Sequence, residues 1–265
     1  SSAGVVTVKD KSPFLVSTDW LAAHLGDPDV AIVDASWYLP AMNRDGKAEY
    51  EAQHIPGAKF FDIDAITDHG SDLSHTLASP EKFSREVGKL GISNEQTVVV
   101  YDGIGLFSAA RVWWNFRIMG AAKVVILDGG LPQWLEDRLP IESGTAPAYP
   151  KLFASDFDDN AVVGFEEMSE IVRRQSAQIA DARPPGRFTG AEPEPRAGMR
   201  SGHMPGGLSV PAMNLSDNGK LLPLSRLRER LMVAGISDNQ AVVTTCGSGV
   251  TAAIISLALE STCHR

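Results

Sequence analysis

The 265-residue chain is poor in cysteine, with only Cys246 and Cys263. Two thiols build no disulfide framework, so a reducing compartment is expected and the cytoplasm is the default. No apolar run approaches the roughly 20 residues a membrane span needs, which excludes a membrane partner. The start, Ser1–Ser12, is polar and lacks the apolar core of a signal peptide. Basic residues are outnumbered, 24 against 33 acidic ones, for a net charge of −9. That balance disfavours a nucleic-acid partner, because phosphate binding needs Lys and Arg to displace counterions. The six histidines are scattered and no cysteines are paired, so no metal site is expected. What is present is globular. Hydrophobic residues make up 43% and charged residues 22%, enough for one large or two small domains with real cores.

The chain also repeats itself. Gly91-Ile92-Ser93 through Tyr101-Asp102 returns as Gly235-Ile236-Ser237 through Thr245-Cys246, an offset of 144 residues. Val33-Asp34-Ala35 matches Ala180-Asp181-Ala182, and His54-Ile55-Pro56-Gly57 matches His203-Met204-Pro205-Gly206. A period this long means a duplicated domain, not a solenoid of short units. We expect one domain over 1–142, a second over 160–265, and between them a linker over 143–159 rich in Pro, Ala and Asp.

Each half reads as α/β. The β-branched runs Val30–Asp34, Thr97–Tyr101 and Lys123–Leu127 have the character of buried parallel strands. Ser79-Pro80 opens a helix with Phe83, Val87 and Leu90 on one face, and Ala109, Val112, Trp113, Phe116 and Met119 share that spacing. Met168, Ile171 and Val172 mark a further helix, and Leu224, Leu227 and Leu231 another. The expected architecture is two tandem domains, each a parallel sheet flanked by helices. After Cys246 only a helix over Thr251–Glu260 and the tail Ser261–Arg265 follow. The second domain is therefore expected to lack its last strand and helix. His54 and His203 occur in both copies and read as turn residues. Trp113 and Trp114 read as core or interface, and Asp34 and Asp181, each ending a strand, as hydrogen-bonded fold determinants.

Cys246 follows the apolar strand Ala241–Thr245 and precedes Gly247-Ser248-Gly249-Val250, after which an apolar helix begins. A glycine-rich turn between a strand and a helix can aim backbone N–H groups inward, and the helix dipole adds partial positive charge. Both favour the thiolate, the nucleophilic form of cysteine. Open α/β sheets also place their ligand sites beyond strand C-termini. Cys263 lies in a polar tail without such a cradle and reads as incidental. A cysteine phosphatase would place Arg six residues after the nucleophile, where this chain has Ala252. No Gly-Lys-Ser/Thr follows the glycines, so a nucleotide P-loop is a poor fit. The first half carries Asp102 at the position of Cys246 and so reads as a scaffold.

With these stretches, the chain resembles the rhodanese superfamily, and within it the 3-mercaptopyruvate sulfurtransferases. The resemblance covers nearly the whole chain and rests on several segments. They are Cys246-Gly247-Ser248-Gly249-Val250-Thr251, Asp34-Ala35-Ser36-Trp37-Tyr38, Phe60–Asp64, Ser108–Trp114 and Arg187-Phe188-Thr189-Gly190 with Glu192–Arg196. It implies that Cys246 takes sulfur from 3-mercaptopyruvate as a persulfide and passes it to a thiol acceptor, such as thioredoxin or glutathione, or to cyanide. Gly247, Gly249, Val250 and Thr251 match the loop that lines the donor site. Arg187 and Arg196 match positions that bind the donor's carboxylate and ketone, for which a guanidinium fork is suited. Ser248, His75 and Asp64 match a proton-handling triad, and no cofactor is implied. The uncharged Gly247 and Ser248 disfavour thiosulfate, whose enzymes usually carry basic residues there. A thiosulfate sulfurtransferase and a catalytically silent sulfur-relay or binding module remain the alternatives.

Overall fold

A computed structural model of the chain describes residues 10–67, 77–163, 165–193, 202–245 and 249–262. The first half begins with β1 (Leu15–Val16), α1 (Thr18–Ala23), β2 (Val30–Asp34) and α2 (Gly46–Ala52). It continues through β3 (Lys59–Phe60), α3 (Ile63–Ile66), α4 (Pro80–Lys89) and β4 (Thr97–Tyr101). It ends with α5 (Ala109–Ile118), β5 (Lys123–Leu127) and α6 (Gly130–Glu136). Its five strands are parallel in the order β1-β5-β4-β2-β3. The three central strands occupy the ranges their β-branched runs imply. Val98, Val99 and Val100 are fully buried, because helices cover both faces of the sheet.

The second half holds α7 (Phe165–Arg174), β6 (Gln178–Asp181), α8 (Pro185–Thr189) and β7 (Gly207–Ser209). A short antiparallel hairpin follows, β8 (Ser216–Asp217) and β9 (Lys220–Leu221), which the sequence pattern had not suggested. Then come α9 (Leu224–Val233), β10 (Val242–Thr245) and α10 (Ala252–Ser261). The parallel sheet runs β10-β6-β7 and matches β4-β2-β3 of the first half. Counterparts of β5 and β1 are absent among the described residues. The last helix lies one residue later than the expected Thr251–Glu260, with Thr251 as its N-cap residue.

Local chemistry sets the element ends. The Ser79 hydroxyl accepts the Lys82 N–H at 3.1 Å and Pro80 opens α4, the arrangement that satisfies an orphan donor and pre-sets φ. Buried Phe83 and Val87 then face the core. Segment 143–159, expected as a linker, is an ordered strap along the first half. Its Gly144 N–H donates to Glu51 O at 2.7 Å, Lys151 N–H to Gly88 O at 3.0 Å and Asp156 N–H to Met119 O at 2.9 Å. Phe153 is buried edge-on against Phe83 and Phe116, with centroids 5.4 and 6.0 Å away.

The halves share one core. A single apolar cluster runs from Val98, Trp113 and Phe116 to Leu227, Ile254 and Leu257. Across the seam the hydroxyls of Ser12 and Ser261 lie 2.6 Å apart, Arg117 pairs with Glu260, and Ser225 N–H donates to Asp10 at 2.9 Å. No described helix is long and apolar enough to cross a membrane. Because Phe153 fills an aromatic cluster from the strap, Phe153→Ala should lower stability by about 3–5 kcal/mol in denaturant unfolding. An effect below about 1 kcal/mol would mean that the strap is not part of the core.

Candidate active site

The two halves use the same strand-end geometry. Asp34, ending β2, lies opposite Tyr101 of β4, and Asp181, ending β6, lies opposite Thr245 of β10. Asp102 and Cys246 come next in the chain after Tyr101 and Thr245. Both strand-end aspartates are hydrogen-bonded, as expected. Asp34 accepts the Ser36 N–H at 2.9 Å. Asp181 accepts the Arg183 N–H at 3.0 Å and holds its guanidinium through Nη2 at 2.6 Å and Nε at 3.0 and 3.1 Å. That same guanidinium donates to Gly202 O at 2.5 Å, so the second half ties its strand end to the turn before His203.

The first-half loop shows what such a turn does with an anion. Asp102 Oδ1 accepts N–H bonds from Ile104 at 2.9 Å and Gly105 at 2.8 Å. Its Oδ2 accepts from Phe107 at 2.7 Å and Ala109 at 2.8 Å. Four backbone donors converge on one buried carboxylate, the first turn of α5 among them. Gly105 adopts φ +125°, and a side chain there would collide with Gly219 of the other half. The cradle of the first half is thus filled by its own side chain.

In the second half, Cys246, Gly247 and Ser248 lie outside the described residues. Both flanks of their loop are defined. β10 delivers the chain at Thr245, and the path resumes at Gly249 with φ +76°, buried Val250 and Thr251 at the start of α10. Arg111 of α5 donates from Nη1 to the Gly249 carbonyl at 3.1 Å.

The other expected residues are divided. His75 and Arg196 also lie outside the described residues. Arg187 sits half-buried in α8, before the C-cap Gly190 at φ +83°. Beside it the His203 ring stacks on Phe188 with centroids 3.9 Å apart, and its Nδ1 lies 2.8 Å from Phe188 O. The other histidine of the repeat packs in the same way: buried His54 stacks on Tyr50 with centroids 4.3 Å apart, and its Nδ1 lies 2.9 Å from Tyr50 O. Asp64 is exposed in the first turn of α3 and accepts the Trp37 indole N–H at 3.1 Å. The helix cap is Asp62, whose carboxylate accepts the Ala65 N–H at 3.1 Å. Trp37 and Arg111 were not singled out by sequence reasoning. Both lie in the quoted resemblance segments, but their contacts join positions far apart in the chain. Among the described residues no group of His, Cys, Asp or Glu is placed to hold a metal.

Burial raises the Asp34 carboxyl to about 6, against the hydrogen bonds from Ser36 and Tyr101 that favour its charged form. The folded chain therefore keeps a proton on Asp34 that the unfolded chain, at 3.8, releases earlier. This contribution to stability is present at low pH and lost as pH rises through about 6. Relative to Asp34→Asn, the wild type should lose about 1 kcal/mol between pH 5 and 7 in unfolding measurements. A pH-independent difference would contradict this. Asp102→Ala orphans four N–H groups, two of them buried, and should cost about 3 kcal/mol or more by the same measurement. A near-neutral result would show that the loop does not need its carboxylate.

Comparison with known proteins places this geometry. A rhodanese-like domain profile matches residues 17–137. The chain is 42% identical over 249 residues to the 3-mercaptopyruvate sulfurtransferase of Escherichia coli K12, covering 94% of this chain and 89% of that protein. It is 40% identical over 268 residues to the mitochondrial thiosulfate/3-mercaptopyruvate sulfurtransferase 1 of Arabidopsis thaliana, covering 93% of this chain and 71% of that protein. The crystal structure of SseA from Escherichia coli, described as a 3-mercaptopyruvate sulfotransferase with the rhodanese fold, superposes with a TM-score of 0.88 at 40% identity, covering 95% of each chain.

Proposed function

The chain belongs to the rhodanese family, and we propose that it is a 3-mercaptopyruvate sulfurtransferase with Cys246 as its sulfur carrier. The observation that carries this is the pair of strand-end loops. One begins with Asp102 and is closed on its own carboxylate, while the other begins with Cys246 and has no acid at that place. In this reading the division of labour follows the repeat. Residues 1–142 form the scaffold domain, 143–159 connect, and 160–265 carry the chemistry.

The Cys246 thiolate attacks the sulfur of 3-mercaptopyruvate. The carbon–sulfur bond breaks, its electron pair stays on the carbon as the enolate of pyruvate, and that carbon takes up a proton. The thiol proton of the donor is available for this transfer, and Ser248, His75 and Asp64 are proposed to relay it. Asp64 is oriented for such a role by the Trp37 indole, which occupies one of its carboxylate oxygens. Gly247, Gly249, Val250 and Thr251 form the wall around the sulfur, where backbone N–H groups and the α10 dipole favour negative charge. Arg187 and Arg196 bind the donor's carboxylate and ketone, keeping its sulfur in line with the thiolate. A thiol acceptor, thioredoxin or glutathione, or cyanide then attacks the outer sulfur and releases the Cys246 thiolate. The two-cysteine composition supports a reducing compartment, the cytoplasm, for this cycle.

Intact mass spectrometry tests the proposal. Incubation with 3-mercaptopyruvate should add one sulfur atom, which is removed by a reductant and absent in Cys246→Ser. Thiosulfate should load the protein far more slowly. Sulfur loading of the Cys246→Ser variant would overturn the assignment of the carrier. Faster loading by thiosulfate would make thiosulfate the donor, and no loading from either would leave a binding module.

A further inference from the structure

The duplication breaks its symmetry at one buried charge. The match between the halves continues without a gap past Asp102 and Cys246 into α5 and α10, and there Arg111 stands against Ile255. Both side chains are buried, Arg111 with only 7% of its surface exposed. A guanidinium in such a place needs polar partners, since an uncompensated buried charge is strongly unfavourable. Arg111 lies 5.0 Å over the ring of Trp114, one helical turn along, and donates to the carbonyl of Gly249 in the other half. Gly249 and Gly105 are equivalent in the repeat. Each meets the opposite half, Gly105 in close approach to the backbone of Gly219 and Gly249 through its carbonyl on an arginine.

We propose that Arg111 is the positioning residue of the sulfur-transfer loop: it holds the Gly249 carbonyl and sets a permanent positive charge beside the segment that Cys246 opens. The peptide unit is planar and trans, so fixing the Gly249 oxygen also fixes the Val250 N–H on the side away from the arginine. The negative end of that carbonyl dipole is kept on the guanidinium. The charge itself favours the thiolate and then the negative outer sulfur of the persulfide. Arg111 is outside the donor-binding set, so its effect belongs to the sulfur and not to donor affinity. The inference rests on Cys246 being the carrier.

The experiment uses the full chain carrying Cys263→Ser, so that Cys246 is the only thiol. Arg111→Met and Arg111→Lys are compared with this parent. Three quantities are read: the pH profile of alkylation by iodoacetamide, the rate of sulfur gain from 3-mercaptopyruvate, and the half-saturating donor concentration. Arg111→Met should move the alkylation midpoint upward by about one pH unit and slow sulfur gain near neutral pH about tenfold. The half-saturating concentration should change less than about twofold, as expected when ground-state donor binding is untouched. Lysine keeps the charge but not the fork, so Arg111→Lys should restore most of the midpoint and part of the rate. A folded Arg111→Met protein with the parent's profile and rate would overturn the proposal. If Arg111→Met does not fold, the lysine variant decides: parent-like behaviour at its midpoint with a reduced rate supports the clamp, and parent-like values of both overturn it. If the parent gains no sulfur, the 3-mercaptopyruvate reading falls, and the alkylation profiles still decide whether Arg111 tunes the thiol.

Discussion

The packing of α5 on α10 is the contact on which the rest of the molecule depends. α10 is apolar almost all round, with Ala253, Ile254, Ile255, Leu257, Ala258 and Leu259 buried. A helix of that kind is stable only when covered on every side. Its own sheet covers one face, and α5 of the other half supplies much of the remainder. The loop before α10 is therefore anchored at its far end by a helix that the first half holds in place. The polar links at the seam, between Ser12 and Ser261 and between Arg117 and Glu260, fix the register of that packing more than they add stability.

The two copies of the repeat have diverged in what fills the turn after the central strand. Asp102 turns an anion cradle into a structural knot, with four N–H donors committed to a side chain. With Cys246 in its place the second copy has no carboxylate there, which is what the proposed role of sulfur carrier requires. The first half reaches the second through contacts of its own, Arg111 on the Gly249 carbonyl and Gly105 against Gly219. Asp64, Trp37 and Arg111 all belong to the first half.

Much of this was legible in the sequence. Strands β2, β4 and β5 fall where runs of Val and Ile leave few alternatives, and the Ser79-Pro80 pair marks the start of α4 as its capping chemistry requires. Cys246 draws notice because it opens a Gly-x-Gly turn between a strand and a helix; residues 246–248 themselves lie outside those the structure describes. The strap over 143–159 read as a linker because its fixing bonds come largely from backbone groups and from Ser155, and its packed aromatics, Phe153 and Phe157, form no helical or strand pattern. Asp64 was expected as part of a triad, and its place in the first turn of α3 also suits a cap. The cap is Asp62, two residues earlier, and spacing alone does not separate the two. Arg111 was hidden in a run that reads as helix core. Its burial makes sense only once the Gly249 carbonyl, far along the chain, is brought beside it.

The strap has a consequence for how the chain is made. Phe83 and Phe116 meet Phe153 only after the strap has left the ribosome, so the first half closes its aromatic cluster just before the second half emerges. A first half that folds as it is made has the face of α5 ready before the apolar residues of α10 appear. The order of synthesis thus matches the order of burial, and the stickiest helix of the protein reaches its berth without a long wait in water.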